Sequence, residues 1–524
     1  MARTRPLTQR EGSRKPGMNG RKIALAGMAL AAIGVLAALG TWALAETATA
    51  VGGNSITSPD TAGSVGSYTS LALDSSGFPV VSYYDSTNRD LKLTHCNDPN
   101  CSGGDESITS PDTAGSVGRF TSLTLDSTGY PVVSYYDATN QNLKVMHCND
   151  PNCAGGDESI TSPDSAGAVG EFTSLALDAS GYPVISYYDA ANRDLNVMHC
   201  NDPDCAGGDE SITSPDTAGD VGFSTSLALD ASGYPVVGYW DATSEGMKVL
   251  HCDDPDCTGD GESITMPRTL TLGPILSPII FGHSVSLALD ASGNPVVAYC
   301  VLSWAGNDCG LVVLHCNDPD CAGGDESITW PVRSIVAGDI SLVLDASGNP
   351  VVSYQDDGFH ILHHILDPHL AVMRCNDPNC SGRDESIARF YARARGGAST
   401  SLALDTSGYP VVSYAGMGDL NVVHCNDPLC GAGKPRPTLT PTSTPTASRT
   451  PTATMTPFRP PGDASCDGVV DAQDAALILQ FKADLLGSLP CPEGGDANND
   501  GNVTSIDAAL ILQLSAGLID SLPA

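Results

Sequence analysis

One pattern of apolar and polar positions recurs seven times between residues 51 and 433. The third copy contains Ser-Leu-Ala-Leu-Asp-Ala-Ser-Gly-Tyr-Pro-Val-Ile-Ser-Tyr-Tyr-Asp, then Asp-Leu-Asn-Val-Met-His-Cys, then Glu-Ser-Ile-Thr. Alternating apolar residues and β-branched or aromatic runs predict four short β-strands per copy, separated by an Asp-x-Ser-Gly turn and an Asp-Pro turn. Four strands in each copy are what the blade of a β-propeller requires.

The number of fourth strands indicates that the seven copies close into a ring. The last copy ends at Cys430 without a Glu-Ser-Ile-Thr segment, whereas an additional Asn-Ser-Ile-Thr segment at 54–57 precedes the first copy. A strand at Asn54–Ser58 would complete the last blade, and closure would leave no unpaired strand edge; an open array is the alternative. This part of the chain resembles a seven-bladed β-propeller, and its motifs assign no closer family.

Comparison of the copies separates predicted core positions from variable ones. The first tyrosine after the turn occurs in every copy and is interpreted as a core residue: Tyr83, Tyr135, Tyr187, Tyr239, Tyr299, Tyr354 and Tyr414. The next position points to the opposite strand face and varies: Tyr84, Tyr136, Tyr188, Trp240, Cys300, Gln355 and Ala415. Aromatic side chains there would either stack on sugar rings or pack between blades, and packing is the favoured interpretation. The six histidines that precede repeated cysteines are interpreted as structural.

The eighteen cysteines are an even number, which fits an oxidising compartment. Fourteen of them form seven Cys-x4-Cys pairs: Cys96/Cys101, Cys148/Cys153, Cys200/Cys205, Cys252/Cys257, Cys316/Cys321, Cys375/Cys380 and Cys425/Cys430. The Asp-Pro turn inside each pair predicts a local disulfide. Zinc is the competing interpretation, but zinc sites combine two close clusters of ligands, and these pairs lie roughly 50 residues apart. Further disulfides are predicted for Cys300 with Cys309 and for Cys466 with Cys491.

Charge and the N-terminal segment indicate an exported protein. The net charge of −36 argues against nucleic acid as a partner, because phosphate binding needs clustered cations. A basic leader precedes the apolar stretch Ile23–Leu44, and Ala43-Leu44-Ala45 is typical of a cleavage site. Residues 1–50 are therefore predicted to be a signal peptide, with an uncleaved membrane anchor as the alternative. Either interpretation places residues 51–524 outside the cytoplasm, in the medium or on the cell surface.

After a Thr- and Pro-rich linker at residues 434–461, two similar acidic loops predict calcium sites. Each loop has a glycine at its sharp turn and runs into the apolar helix pattern Ala-Ala-Leu-Ile-Leu-Gln. Ca²⁺ binds roughly six to eight oxygen atoms, which such loops supply from alternate positions. The predicted ligands of two Ca²⁺ ions are Asp463, Ser465, Asp467, the Val469 carbonyl, Asp471 and Asp474, and Asp496, Asn498, Asp500, the Asn502 carbonyl, Thr504 and Asp507.

This duplicated loop-then-helix unit, with Asp instead of Glu at the last ligand position, resembles type I dockerin domains over residues 462–524. The resemblance implies a small α-helical, EF-hand-type calcium module that docks on a cohesin domain of a scaffold or cell surface. It also implies an association with polysaccharide breakdown. The family's partner-recognition positions hold Ala472-Gln473 and Ser505-Ile506 instead of a matching Ser/Thr pair, so the choice of cohesin stays open.

These features predict a mainly β, secreted propeller that binds or displays a protein or a carbohydrate and is tethered by the calcium module. No catalytic residue is assigned. The alternative is a carbohydrate-active hydrolase, a glycoside hydrolase or sialidase-like enzyme, with its site on the divergent blades five to seven. Those blades carry insertions near Thr269–His283 and Phe359–Met373, and the second insertion contains His360, His363, His364 and His369. The arginines that a sialidase-like site needs are scattered: Arg89, Arg119, Arg193, Arg268, Arg333 and Arg374.

Overall fold

The computed structural model describes residues 53–259, 261–267, 284–302, 309–332, 336–356, 369–382, 384–390, 396–431, 462, 464, 470, 472–482, 496–498 and 503–515. The chain divides into two units, Met1–Pro437 and Thr438–Ala524, which are described separately. The predicted leader and the whole predicted linker lie outside the described residues. In the described parts of the chain, no helix is long and apolar enough to cross a membrane.

The described strands of the first unit form seven four-stranded antiparallel sheets, which are the blades of a propeller. Strand β1 (Ser55–Asp60) comes first; blade 1 contains β2 (Ser67–Leu73), β3 (Pro79–Asp85), β4 (Asp90–His95) and β5 (Ser107–Asp112); blade 2 contains β6 (Val117–Leu125), β7 (Pro131–Asp137), β8 (Asn142–His147) and β9 (Ser159–Asp164); blade 3 contains β10 (Val169–Leu177), β11 (Pro183–Asp189), β12 (Asp194–His199) and β13 (Ser211–Asp216); blade 4 contains β14 (Val221–Leu229), β15 (Pro235–Asp241), β16 (Gly246–His251) and β17 (Ser263–Thr265). Blade 5 contains β18 (Val285–Leu289), β19 (Pro295–Leu302), β20 (Cys309–His315) and β21 (Ser327–Val332); blade 6 contains β22 (Val336–Leu344), β23 (Pro350–Asp356), β24 (His369–Arg374) and β25 (Ser386–Phe390); blade 7 contains β26 (Gly396–Leu404), β27 (Pro410–Gly416) and β28 (Asp419–His424).

Strand β1 completes blade 7 and closes the ring, as the sequence predicts. It pairs antiparallel with β28, and Ser55 lies opposite His424. The side-chain amide of Asn54 donates a hydrogen bond to the carbonyl of Cys430 at 2.9 Å, which fastens the start of the strand. The predicted seven-bladed fold is therefore confirmed, and the open array is wrong.

The first strands of the blades surround a central channel and are joined by a closed ring of hydrogen bonds. In each strand a serine hydroxyl accepts a hydrogen bond, of 2.9–3.0 Å, from the backbone N–H of a leucine in the next blade. The pairs are Ser70–Leu123, Ser122–Leu175, Ser174–Leu227, Ser226–Leu287, Ser286–Leu342, Ser341–Leu402 and Ser401–Leu71. The last pair joins blade 7 to blade 1, so the ring is continuous.

The core tyrosines are buried where neighbouring blades meet, and each is at most 2% exposed. At four junctions the tyrosine hydroxyl donates a hydrogen bond of 2.6–2.7 Å to a buried aspartate that ends the fourth strand of the previous blade. These junction aspartates and their tyrosines are Asp60–Tyr83, Asp112–Tyr135, Asp164–Tyr187 and Asp216–Tyr239. At three junctions a lysine binds the same carboxylate: Lys92, Lys144 and Lys248. The predicted core role of the tyrosines is confirmed.

The Asp-x-Ser-Gly turns and the Cys-x4-Cys loops lie at the same ends of the strands, which we call the disulfide face. All seven Cys-x4-Cys pairs are disulfides, so the zinc interpretation is wrong. Cys300 is also disulfide-bonded. The side chain of its predicted partner Cys309 lies outside the described residues, as do both members of the predicted pair Cys466 and Cys491.

The six histidines of the repeats form a belt around the disulfide face. Each imidazole bridges the turn aspartate of its own blade, at 3.1–3.3 Å, and an Asn or Asp in the cysteine loop of the next blade, at 2.8–3.1 Å. In blade 6, Arg374 takes this place and donates to Asp345 at 2.7 Å and to the carbonyl of Pro428 in blade 7 at 3.1 Å. The histidines are structural, as predicted.

The described part of the second unit contains two helices, α1 (Ala472–Lys482) and α2 (Ser505–Ser515). Each helix follows one of the predicted acidic loops. Fully buried side chains from the two repeats form one small core: Ala464, Ala475, Ile478, Ala497, Ala508 and Ile511. The duplicated segments therefore pack against each other through equivalent positions.

Candidate functional site

Variation among the repeats is concentrated at one end of the strands, opposite the disulfide face. At this end lie the turns between second and third strands and the connections between blades; we call it the variable face. Three pairs of strand ends at this face, Thr265 and Val285, Leu302 and Cys309, and Asp356 and His369, are separated in the sequence by segments that differ from the other repeats. The disulfide face repeats the same turns and loops in all seven blades, which is expected of a scaffold. The variable face is therefore where a ligand site is expected.

The central channel is lined by two rings of side chains from the first strands and has a cavity of about 190 Å³. One ring, here called the bulge ring, contains Tyr68, Phe120, Phe172, Ser224, Ser284, Asp339 and Ser399. The second ring contains Thr69, Thr121, Thr173, Thr225, Val285, Ile340 and Thr400. The bulge ring is aromatic in blades 1 to 3 and small or acidic in blades 4 to 7, so the channel has two chemically different sides.

A β-bulge with a left-handed residue sets the direction of five bulge-ring side chains: Tyr68, Phe120, Phe172, Ser224 and Ser399. The pairing of first and second strands shifts register at this point, for example between Arg119 and Ser122. The backbone is left-handed at Phe120, with φ 54°, and also at Ser224, with φ 51°. Such a conformation costs a non-glycine residue on the order of 1–3 kcal/mol. Phe120 and Ser224 have the same backbone conformation although their side chains differ. The bulge therefore does not depend on the side chain, and the residue at this position can differ between blades.

The aromatic members form a continuous arc of rings along one side of the channel. Ring centroids are 4.6 Å apart for Tyr68 and Phe120, and 4.5 Å apart for Phe120 and Phe172. Phe223 extends the arc, at 5.9 Å from Phe172, and stacks on Tyr188 at 4.2 Å. All four rings of this aromatic arc, which runs from Tyr68 to Phe223, are only half-buried. Partly exposed rings held in a rigid row provide flat apolar faces for a ligand.

A larger cavity of about 960 Å³ opens on the variable face and is here called the mouth cavity. It is lined by Ser67, Tyr68, Tyr84, Ser86, Arg89, Ser116, Arg119, Ala138, Thr139, Asp339 and Ser399. The guanidinium carbon of Arg119 lies 5.4 Å from the ring centre of Tyr84. The Nε of Arg119 is buried and has no hydrogen-bond partner among the described residues. The cavity thus combines aromatic rings, hydroxyls, two arginines and one carboxyl.

Two carboxyls near the mouth cavity are partly desolvated. Burial raises the pKa of Asp339, although a hydrogen bond with Ser399 acts in the opposite direction. Burial also raises the pKa of Glu171, and the positive charge of Arg119 opposes that shift. Both carboxyls act electrostatically on Tyr68, whose pKa is raised mainly by burial. The channel therefore has acidic groups that protonate more readily than exposed ones.

The aromatic positions singled out by sequence are mostly packing residues. Tyr84, Tyr136, Tyr188 and Trp240 are each only 5% exposed, which favours packing between blades over sugar stacking. Tyr84 still contributes a wall of the mouth cavity. The bulge ring was not predicted. Its signal was present in the sequence, since one position immediately before the second-ring residue changes from Tyr or Phe to Ser or Asp within an otherwise repeated strand.

The divergent blades do not supply a described cluster of catalytic groups. His369 begins β24, is 4% exposed and lies 3.8 Å from Asp356. The other three histidines of that insertion, together with Arg268 and Arg333, lie outside the described residues. Arg374 belongs to the belt on the disulfide face, whereas Arg89 and Arg119 meet in the mouth cavity. Of the six arginines that are scattered in the sequence, the structure thus brings two, Arg89 and Arg119, to the same cavity.

Five of the twelve predicted calcium ligands lie in the described residues: Asp474, Asp496, Asn498, Thr504 and Asp507. Asp474 and Asp507 are fully buried. One oxygen of Asp507 accepts hydrogen bonds from the N–H of Ala497 and Asn498, and the other accepts from the N–H and hydroxyl of Thr504. The ends of the second loop therefore meet at Asp507. The remaining predicted ligands are Asp463, Ser465, Asp467, Val469, Asp471, Asp500 and Asn502, which lie outside the described residues.

One further acidic group, Asp253, Asp254 and Glu262, has carboxylate oxygens close enough to share a cation. These carboxylates already hold their own loop together. Glu262 accepts the N–H of Asp253 at 2.9 Å, and Asp254 accepts those of Asp256 and Thr258. The same Glu contact recurs in other blades, so the group is explained by loop structure.

Comparison with known proteins assigns this chain to no family. No protein-family model matches the chain, and no curated protein matches it. Similar solved structures include a protein of unknown function from Dyadobacter fermentans, with 12% identity, 58% of this chain and 93% of that chain covered, and a TM-score of 0.38. An ulvan lyase has 13% identity, 72% and 94% coverage and a TM-score of 0.43. An α-L-arabinanase from Penicillium chrysogenum has 13% identity, 58% and 91% coverage and a TM-score of 0.40.

Proposed function

We propose that this chain is an extracellular carbohydrate-binding propeller whose sugar site is the mouth cavity and the adjoining aromatic arc. The observation that carries the proposal is the half-exposed row of Tyr68, Phe120 and Phe172, which faces hydroxyls and the Asp339 carboxyl across the channel. Sugar rings present apolar C–H faces and a rim of hydroxyls. They therefore match a site with aromatic faces on one side and hydrogen-bonding groups on the other.

The disulfides and the ring of inter-blade bonds support an extracellular role. Seven local disulfides indicate an oxidising environment. A propeller closed at every junction also keeps its channel rigid, so the aromatic arc is held ready for a ligand. Preorganisation of this kind lowers the entropy lost on binding.

The proposed tether is the C-terminal dockerin-like module with two Ca²⁺ ions. Ca²⁺ prefers carboxylate, amide, hydroxyl and carbonyl oxygens, and the predicted set consists of these. Support comes from the closure of the second loop on Asp507 and from the shared core of the two repeats. Bound Ca²⁺ would neutralise the loop carboxylates. A cohesin-like domain remains the partner that the resemblance implies.

Binding to a glycan array and titration calorimetry with the best glycan test the site. Replacing Phe120 with Ser installs the residue that Ser224 provides in blade 4 at a nearly identical φ, so the fold should tolerate it. Loss of one stacked ring should weaken binding about tenfold. Tyr182→Ala, at a turn on the disulfide face, is the control and should bind normally. Unchanged affinity in Phe120→Ser would refute the proposed site.

A hydrolase is the second candidate, because Glu171 and Asp339 are two desolvated carboxyls near the same opening. Glycoside hydrolysis uses a pair of carboxyl groups, one of them kept protonated by its surroundings. A hydrolysis screen of the bound glycans tests this candidate. Turnover that Asp339→Asn abolishes while binding persists would establish the hydrolase over simple binding.

A further inference from the structure

The distribution of positive charge in the propeller is uneven. The chain has a net charge of −36, so unpaired cations are scarce. The described basic residues of the propeller are Arg89, Lys92, Arg119, Lys144, Arg193, Lys248, Arg374 and Arg389. Five of them are bound to carboxylates: Lys92–Asp60, Lys144–Asp112, Lys248–Asp216, Arg374–Asp345 and Arg389–Asp356. The other three, Arg89, Arg119 and Arg193, form no ion pair within the described part of the propeller.

All three unpaired arginines lie at the variable face of blades 1 to 3, on the side of the aromatic arc. Arg89 and Arg193 occupy the turns between second and third strands of blades 1 and 3, and Arg119 precedes Phe120 in the first strand of blade 2. Arg89 and Arg119 come from neighbouring blades and line the same mouth cavity. Two of the three unpaired arginines of the described propeller therefore lie at one opening of an acidic protein.

Arg119 packs against a neighbouring aromatic ring, but its guanidinium Nε donates no hydrogen bond to a described residue. Its guanidinium lies against the ring of Tyr84, and its Nε is buried without an acceptor among the described residues. A buried donor without a partner is unfavourable, and an oxyanion is the acceptor that best fits the planar guanidinium fork. Glu171 influences Arg119 electrostatically, but the two form no ion pair. Arg119 therefore lines a cavity large enough for a ligand, and no carboxylate of the described residues pairs with its guanidinium.

We propose that the mouth cavity binds an acidic carbohydrate, with Arg119 holding the oxyanion of a carboxylate or sulfate substituent and Arg89 adding positive charge. This inference rests on the proposed carbohydrate site and specifies its ligand class. The sugar ring bearing the acidic group would lie against Tyr68 and its neighbours in the aromatic arc. Asp339 and Ser399, across the channel, would bind hydroxyls of the same chain.

The test uses the full secreted chain and oligosaccharides in matched pairs. Each pair contains an acidic glycan and its neutral counterpart: galacturonic acid oligomers with their methyl esters, and sulfated galactan oligomers with their desulfated forms. Titration calorimetry should give at least about tenfold tighter binding for the acidic member, because a charge-assisted bidentate contact is lost in the neutral one. The pair with the larger difference distinguishes a carboxylate ligand from a sulfate ligand.

Substitutions of Arg119 test whether this residue produces the preference for acidic glycans. Arg119→Ser installs the residue that Ser67 provides at the same register in blade 1, so the strand should still fold. It should remove the preference for the acidic member, and Arg119→Lys should restore part of it. Lys482→Gln removes the same charge from an exposed position of α1 and is the control.

Three outcomes would overturn the inference. Equal binding of acidic and neutral members refutes the acidic ligand and leaves the carbohydrate site intact. An acidic preference that survives in Arg119→Ser refutes the assignment of Arg119. Binding of no member of any pair refutes the carbohydrate site and this inference together.

Discussion

Replacement of Asp60 by Ala tests whether β1 is an integral part of the ring. Asp60 is 3% exposed and accepts hydrogen bonds from Tyr83 at 2.7 Å, from Lys92 and from a backbone N–H. Without the carboxylate, Lys92 keeps a buried charge and Tyr83 keeps a buried hydroxyl. Removing one partner of a buried ion pair costs about 3–5 kcal/mol, and this loss is expected in the free energy of unfolding.

Asp112 provides a matched control because it occupies the same place one junction later. It is 4% exposed and binds Tyr135 at 2.7 Å and Lys144 in the same way. Asp112 belongs to β5, which follows the other strands of its blade directly in the sequence, whereas Asp60 belongs to β1, which is distant in sequence from the rest of blade 7. If β1 closes the ring, Asp60→Ala and Asp112→Ala should lower stability equally. If β1 frayed in solution, Asp60→Ala would cost almost nothing.

Urea unfolding followed by tryptophan fluorescence measures both variants, since Trp240 is 5% exposed and reports on the propeller. A normal unfolding midpoint for Asp60→Ala together with a lowered midpoint for Asp112→Ala would refute ring closure by β1. The double change Asp60→Val with Lys92→Ala should recover part of the loss, because both members of the buried pair are then removed.

Three further predictions concern acid, disulfides and calcium. Burial alone would raise the pKa values of the three lysine-bound junction aspartates, but hydrogen bonds from Lys and Tyr hold them below the ordinary value. Their stabilisation is therefore present above about pH 4 and should be lost as pH falls through the lower folded-state values, so urea midpoints should drop at pH 3, and less so in Asp112→Asn. Replacing Cys148 and Cys153 together by Ser opens a short loop and should cost about 2 kcal/mol in the same assay. Replacing Asp474 and Asp507 by Ala should abolish calcium-dependent helicity in the circular dichroism of the full chain, with the propeller midpoint unchanged; helicity that is insensitive to chelator in the wild type would contradict the calcium assignment.

The architecture could be predicted from sequence because each repeat specifies its own four strands. Alternating apolar positions mark the first strand, and the Asp-x-Ser-Gly turn and the cysteine pair set the ends of the others. Closure followed from counting one surplus fourth strand at residues 54–57 and one missing after Cys430. These signals are local or repeated, so no knowledge of contacts between blades was needed.

The bulge ring could not be predicted in the same way, because it depends on a break in strand regularity. Face assignment from sequence assumes that side chains alternate along a strand. The register shift between Arg119 and Ser122, with the left-handed conformation at Phe120, interrupts that alternation. The aromatic residues considered for sugar recognition were consequently those after the core tyrosine, Tyr84 and its equivalents, for which packing was the favoured interpretation. Convergence of Arg89 and Arg119 likewise depends on the packing of two blades.

The junctions of the later blades explain how the ring tolerates divergence. Val332 and Ala371 stand where blades 1 and 2 have Asp112 and Lys144, so the buried anion and cation are lost together. Loss of both members avoids an unpaired buried charge, although the Tyr354 hydroxyl then has no partner among the described residues. The bond between Ser341 and Leu402 and the bridge from His315 to the next blade are retained in this region. Because these connections do not involve the variable face, substitutions at that face can change the proposed ligand site without opening the ring.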